Sequence, residues 1–257
     1  MTAKRLFSIL AAETKYEFLK LVRMPAYAAP VLFFPLMFYV IFGLSFGGAR
    51  ATSSSTMASY MLASMGTFGV IGAAMFGLGV YVASERGQGW LTVKRASPMP
   101  MVTYLGAKML VAMIFGAIIV ACLFTLGATF GHVTLSPGAW ASLGAVLVVG
   151  AIPFCALGLA VGYLAGPNSA QPIVNLLYLP MAFASGLWVP LEILPQFIRR
   201  IAPFLPPFHL SQLALDVTGI KPAAEIPMHF IALAEFTALF LGLAAVGYRR
   251  DEGKTYG

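Results

Sequence analysis

The sequence predicts an all-α membrane protein: six transmembrane helices, an amphipathic interfacial helix before the first, and a re-entrant helical segment before the last. Three observations predict it. Residues 109–191 contain no Asp, Glu, Lys or Arg, and since one crossing needs ~20 apolar residues for a hydrocarbon core of ~30 Å, this run holds several crossings in series. Mean hydropathy is +0.87 with 10% charged residues, outside the range of soluble domains. The net charge of +7 comes from basic residues that flank apolar segments, a placement that suits anionic lipid headgroups and not nucleic acid.

Residues 1–25 carry Lys4, Arg5, Glu13, Lys15, Glu17, Lys20 and Arg23, while Phe7, Leu10, Thr14, Phe18 and Leu21 recur every three or four residues and share one face. That pattern predicts a helix lying in the membrane interface. The first crossing is expected over residues 26–46, with Pro30 and Pro35 tolerated because neighbouring helices can satisfy the freed backbone groups. It begins too late and runs too long for a signal peptide. A short polar connection, residues 47–56, leads to a glycine-rich second crossing over residues 57–82. The charged stretch after it, residues 84–100, is too polar to enter the bilayer.

The third crossing is expected over residues 101–130, with Lys108 close enough to its start to snorkel. A fourth follows over residues 139–164. Gly166-Pro167-Asn168-Ser169 signals a turn, and a fifth crossing covers residues 171–188. Five prolines, at 190, 195, 203, 206 and 207, then cut the chain into apolar pieces too short to cross, as expected of interfacial or re-entrant helices. The last crossing, residues 228–248, ends in Arg249-Arg250-Asp251-Glu252.

With both termini cytoplasmic, twelve of the 16 Lys and Arg residues lie inside and four (Arg50, Arg199, Arg200, Lys221) outside, in keeping with the positive-inside rule. Cys122 and Cys155 fall within apolar segments without CxxC or Cys/His spacing, so neither a disulfide framework nor a zinc site is expected. Gly253-Lys254-Thr255 lacks the glycine that a phosphate-binding loop requires, Tyr248 standing in its place. No nucleophile and base fall at one depth, so the chain is not expected to be an enzyme. Paired interrupted helices are also missing from its two halves, which speaks against common secondary-transporter folds.

Three groups of residues invite a functional reading. Glu85, Arg86, Gly89, Trp90, Leu91, Lys94 and Arg95 form a polar segment that carries an aromatic and a leucine, suited either to a soluble partner's grip or to a plain cytoplasmic loop. Gln171, Asn175, Tyr178 and Ser185 share one face of the fifth crossing, either bonding a neighbouring helix or lining a pathway. Gly69, Ala73 and Gly77 give the second crossing a small-residue packing face, serving either intrasubunit contacts or a dimer seam. Glu235, alone among the acids in sitting inside a crossing, is expected to face protein or a water-filled cavity and joins the candidate pathway.

The amphipathic first helix, the six crossings, the E-R-x-x-G-x-L-x(6)-P segment from Glu85 to Pro98, and the proline-punctuated region from Ser185-Gly186-Leu187-Trp188-Val189-Pro190 to Pro207-Phe208-His209 together resemble the permease subunits of ABC-2 type transporters. The resemblance covers essentially the whole chain. It departs from the usual pattern at Gln88 to Trp90, where an acidic residue and then Gly-Thr is more common. The resemblance implies one permease domain over residues 1–257, in which residues 84–100 couple to an ATP-binding subunit and residues 189–227 form an external cap. It also implies two copies of that subunit, which hold ATP and magnesium, and a second copy of the permease. The implied activity is export across a bacterial inner membrane, and the apolar interior with its scarcity of buried charge favours a lipophilic or amphipathic, drug-like or lipid-like cargo. The alternative is an ion-coupled secondary transporter, or a component of ion (sodium) extrusion, that uses Glu235.

Overall fold

The computed structural model describes residues 3–46, 50–52, 55–90, 99–220 and 225–252, and these are helical apart from turns and one small hairpin. Helix α1 (Ala3–Val22) lies on the outside of the bundle against the long helix α5 (Met101–Thr129). Its inward face is Leu10, Thr14, Glu17, Phe18 and Leu21. Phe7, grouped with that face by its spacing, points outward instead and is 72% exposed.

Helix α2 (Pro25–Phe38) starts on a proline and carries Pro30 and Pro35 inside, then opens into a wide π turn over Tyr39–Leu44. The connection that follows pairs β1 (Arg50–Thr52) with β2 (Ser55–Thr56) as a two-stranded antiparallel ribbon. Helix α3 (Met57–Ala74) continues through a second π turn, Met75–Val80, into α4 (Tyr81–Gly87), so the second apolar helix runs unbroken from Met57 to Gly87. It is the hub of the protein. Sixteen of the eighteen α3 residues are buried, because α2, α5, α6 (Pro137–Val149), α7 (Ile152–Leu164) and α10 (Pro206–Val217) all pack on it.

Small residues make this crowding possible. A Cβ at Gly69 would meet Ile119 at 2.6 Å and Pro35 at 3.3 Å, and one at Gly77 would meet the Tyr27 hydroxyl at 3.0 Å. Ala73 is fully buried beside them, and Tyr27 donates to its carbonyl at 3.1 Å. Within the protomer the Gly69, Ala73, Gly77 face lies against Ile119, Pro35 and Tyr27. The carbonyl of Ala73 lies at the mouth of the π turn, where the widened ladder frees an acceptor for the Tyr27 hydroxyl.

The fourth apolar segment is one crossing by length, Pro137–Leu164, but two helices by geometry. Ser136 caps α6 by accepting the Ala139 amide at 3.2 Å, and the helix ends at Gly150 because Pro153, in the first turn of α7, has no amide to continue the ladder. Helix α8 (Ala170–Ala184) has 15 residues, about 22 Å at ~1.5 Å per residue, against the 18 expected. Gly186 shortens it: its φ of 81° ends the helix in a tight turn, and Tyr60 of α3 donates to its carbonyl. Among the described residues five helices are long and apolar enough to cross a membrane, and α8 is a shorter apolar helix beside them.

Prolines punctuate the next region as the sequence indicates. Pro190, Pro195, Pro203 and Pro206 each stand at the start of a short piece: Leu191–Ile193, α9 (Gln196–Ile201), Ala202–Phe204 and α10. Helix α11 (Ile226–Glu252) closes the fold by packing along α7 and α10.

Candidate coupling site

Where α4 meets the polar turn, two adjacent side chains reach in different directions. Glu85 is 4% exposed and turns towards α1 and α5. Its carboxylate accepts from Lys20 of α1, from the Tyr104 hydroxyl of α5, and from Lys108 of α5 with the ammonium 2.9 Å from Oε2 and 3.1 Å from Oε1. Lys108 also donates to Glu17 of α1 at 3.0 Å. Two carboxylates and two ammonium groups thus neutralise one another across three helices, the arrangement that makes buried charge tolerable. Partial burial pulls the Lys20 ammonium down, but its bond to Glu85 and the nearby carboxylates outweigh this and hold it above its ordinary value.

Lys108 does not snorkel. Its side chain is 4% exposed because Glu17 and Glu85 meet it inside the protein, and an internal partner of opposite charge removes the reason to reach for the headgroups.

Arg86 turns the other way, towards α7 and α11. Its Nη2 lies 2.7 Å and its Nε 3.2 Å from Asp251 Oδ1, while Nη1 donates to the carbonyls of Gly162 at 2.6 Å and Ala165 at 3.3 Å. Those carbonyls close the C-terminal turn of α7, where unpaired acceptors and the helix dipole favour a cation. The guanidinium also lies over the Tyr163 ring, 5.6 Å from its centre. Beyond Arg86 the chain emerges: Gln88, Gly89 and Trp90 are exposed, Gly89 with a φ of 76°, and Trp90 donates to the Gln88 side chain at 3.1 Å. Leu91, Lys94 and Arg95 lie outside the described residues.

The polar stripe on α8 divides. Tyr178 is buried, donating to the Phe68 carbonyl at 2.7 Å with its ring stacked on Phe68, and Ser185 is buried at the helix end. Gln171 is exposed and Asn175 partly so. Glu235 lies on the outer face of α11, away from that interior. Leu233 and Ala244 mark the buried side of the helix, and at ~100° per residue position 235 falls nearly opposite them. Within the described residues the Glu235 side chain is exposed and not enclosed by protein.

Sequence spacing does not join Glu17, Tyr104, Lys108 and Asp251 to the Glu85–Arg86 pair. For Glu17 a signal exists, since an acid three residues after Thr14 and four before Leu21 stands on the apolar face of α1. Its partner lies 91 positions away, and no local pattern joins the two.

Residues 10–217 match the sequence profile of the ABC-2 type transporter family. The chain is also 28% identical over 246 residues to a protein of Bacillus subtilis (strain 168) that carries the name transport permease YvfS, covering 95% of this chain and 99% of the relative.

Proposed function

The chain belongs to the ABC-2 type transporter family, and from that premise we propose that it is the permease subunit of an ATP-driven exporter. In this reading α8 crosses the bilayer with the five longer helices, both termini are cytoplasmic, and two copies of the permease enclose the path. Two copies of a separate ATP-binding subunit hold nucleotide and magnesium. The cargo is lipophilic or amphipathic, in keeping with the scarcity of unpaired charge in the helices.

One observation carries the proposal. Glu85 and Arg86, adjacent at the base of the central helix, grip two different groups of helices immediately before an exposed turn that ends in Trp90. A partner that moves this turn displaces both grips together: Glu85 draws on α1 and α5, and Arg86 draws on α7 and α11. Motion at one soluble surface thereby reaches helices on both sides of the hub without a separate signal to each.

Reconstitution with the ATP-binding subunit tests the reading. Arg86→Ala should leave the complex assembled and ATP turnover present, while cargo movement per ATP falls at least several-fold. Normal cargo movement in that variant, which lacks the Arg86 contacts to Asp251 and to the α7 carbonyls, would rule out Arg86 as a transmitting residue.

A further inference from the structure

Two of the three histidines meet through ring nitrogens, their planes tilted by 55°. His209 of α10 and His229 of α11 place their Nδ1 atoms 2.9 Å apart, and the other nitrogen of His209, Nε2, lies 2.9 Å from the carbonyl of Pro203. Both rings are largely enclosed, at 2% and 9% exposure, and Phe208 and Phe236 pack against them. Hydrogen-bond chemistry fixes the protons. A carbonyl only accepts, so Nε2 of His209 carries hydrogen; in the neutral ring its Nδ1 is then an acceptor, and His229 must supply the Nδ1–H between them.

We infer that His209 and His229 form a single-proton site that fastens α10 to the last helix, and that a second proton unfastens it. The first proton is accommodated: His209 becomes a double donor, its Nδ1–H points at a bare Nδ1 of His229, and the hydrogen of His229 moves to Nε2. A second proton leaves two N–H groups opposed at 2.9 Å, with like charges and no acceptor between them. Among the described residues the charged groups that act on His229 are Asp216 on α10 and Glu225 just before α11. Burial holds His209 below its ordinary value although the Pro203 carbonyl favours the proton. The sign follows: the link is complete above the ordinary imidazole range, about pH 6.5, and weakens as pH falls. Since α10 closes the proline-rich segment and also packs on the hub helix α3, its release in acid would change what covers one end of the bundle.

Because the chain has three histidines, nitrogen-15 histidine NMR of the full chain in lipid nanodiscs resolves each ring. At pH 8 His209 should be the Nε2–H tautomer and His229 the Nδ1–H tautomer. On acidification the pair should titrate in two steps, the first proton bound at least tenfold more tightly than the second. Amide exchange in Pro206–Val217, corrected for its intrinsic pH dependence, should accelerate at least tenfold across the second step. His229→Gln keeps a donor for His209 but takes no proton, and should abolish that acceleration. The inference is overturned if the two rings titrate together as independent imidazoles, if α10 exchange does not respond to pH, or if His229→Gln responds as the parent does.

Discussion

Lys108 stands between carboxylates from two other helices, 3.0 Å from Glu17 on α1 and 2.9 Å from Glu85 on α4. All three side chains are less than 10% exposed, so the contact is a buried ion triad and not a surface decoration. Removing its centre takes the buried ammonium away from both carboxylates, and of the two cations that meet Glu85 only the partly exposed Lys20 remains. Lys108→Met should therefore destabilise the protein by about 3–5 kcal/mol, seen as a lowered unfolding temperature in detergent. Adding Glu17→Gln to that variant should restore part of the loss, because the excess of buried negative charge over positive is then reduced by one. A variant Lys108→Met that unfolds at the parental temperature would refute the triad's role.

Arg86 makes a different demand, for geometry as well as charge. Its fork serves Asp251 with two nitrogens and two helix-end carbonyls with a third. A lysine at this position can meet the carboxylate or the carbonyls but cannot span both. Arg86→Lys should accordingly keep expression near parental while loosening the end of α11, read as at least severalfold faster amide exchange in the last turns of Ile226–Glu252. Unchanged exchange there would mean that charge alone suffices.

The close approach of α7 to the hub helix gives a steric prediction. A Cβ at Gly162 would meet Val82 Cβ at 2.9 Å and the Leu78 carbonyl at 3.0 Å, and backbone cannot yield as a flexible side chain can. Gly162→Ala should cost about 1–3 kcal/mol through overpacking. Gly242, with open space around its missing Cβ, is the control: Gly242→Ala should leave the unfolding temperature unlowered.

Much of this architecture is legible in the residues, because a bilayer imposes a simple rule on hydropathy and length. The apolar runs, the amphipathic first helix and the proline-started pieces near α10 all occur where the pattern places them. Finer features depend on contacts that no window contains. Pro153 divides the fourth segment, yet Pro30 and Pro35 do not divide α2. Gly186 ends α8 early because Tyr60, 126 positions away, anchors its turn. Lys108 suggested a snorkelling end group, and only the fold brings Glu17 and Glu85 to it. In the coupling segment the types were legible and the roles were not: Glu85 and Arg86 face inward, while Trp90 faces out.

Glu235 separates the exporter from the ion-coupled alternative. Its side chain is exposed on α11, and among the described residues no hydrogen bond or ion pair reaches it. Glu235→Leu should therefore change the stability of the protomer by no more than about 0.5 kcal/mol. If a carboxylate there carries a coupling ion, Glu235→Gln should abolish transport and its dependence on sodium or proton gradients. The exporter reading expects the reverse, with ATP-driven transport by Glu235→Gln retained in the absence of either gradient.

Trp90 gives the sharpest test of the partner surface. It is 53% exposed, contributes nothing to the buried core, and stands four residues after Arg86, the second of the two residues that grip the helices. Large aromatics at the centre of a protein contact commonly carry 2 kcal/mol or more of the binding energy, at least about thirtyfold in affinity, with charged neighbours forming a rim. Trp90→Ala should thus leave folding and membrane insertion unchanged while weakening association with the ATP-binding subunit by about that factor. Leu91→Ala should act in the same direction. Charge reversal at Lys94 or Arg95 should instead give an effect that shrinks as salt rises, since exposed charges are screened over ~10 Å at 0.1 M. The measurement is binding of the purified ATP-binding subunit to the permease in nanodiscs at two ionic strengths. Parental affinity in the Trp90 and Leu91 variants would return this segment to the status of an ordinary loop, and with it the premise that the turn is where the partner pulls.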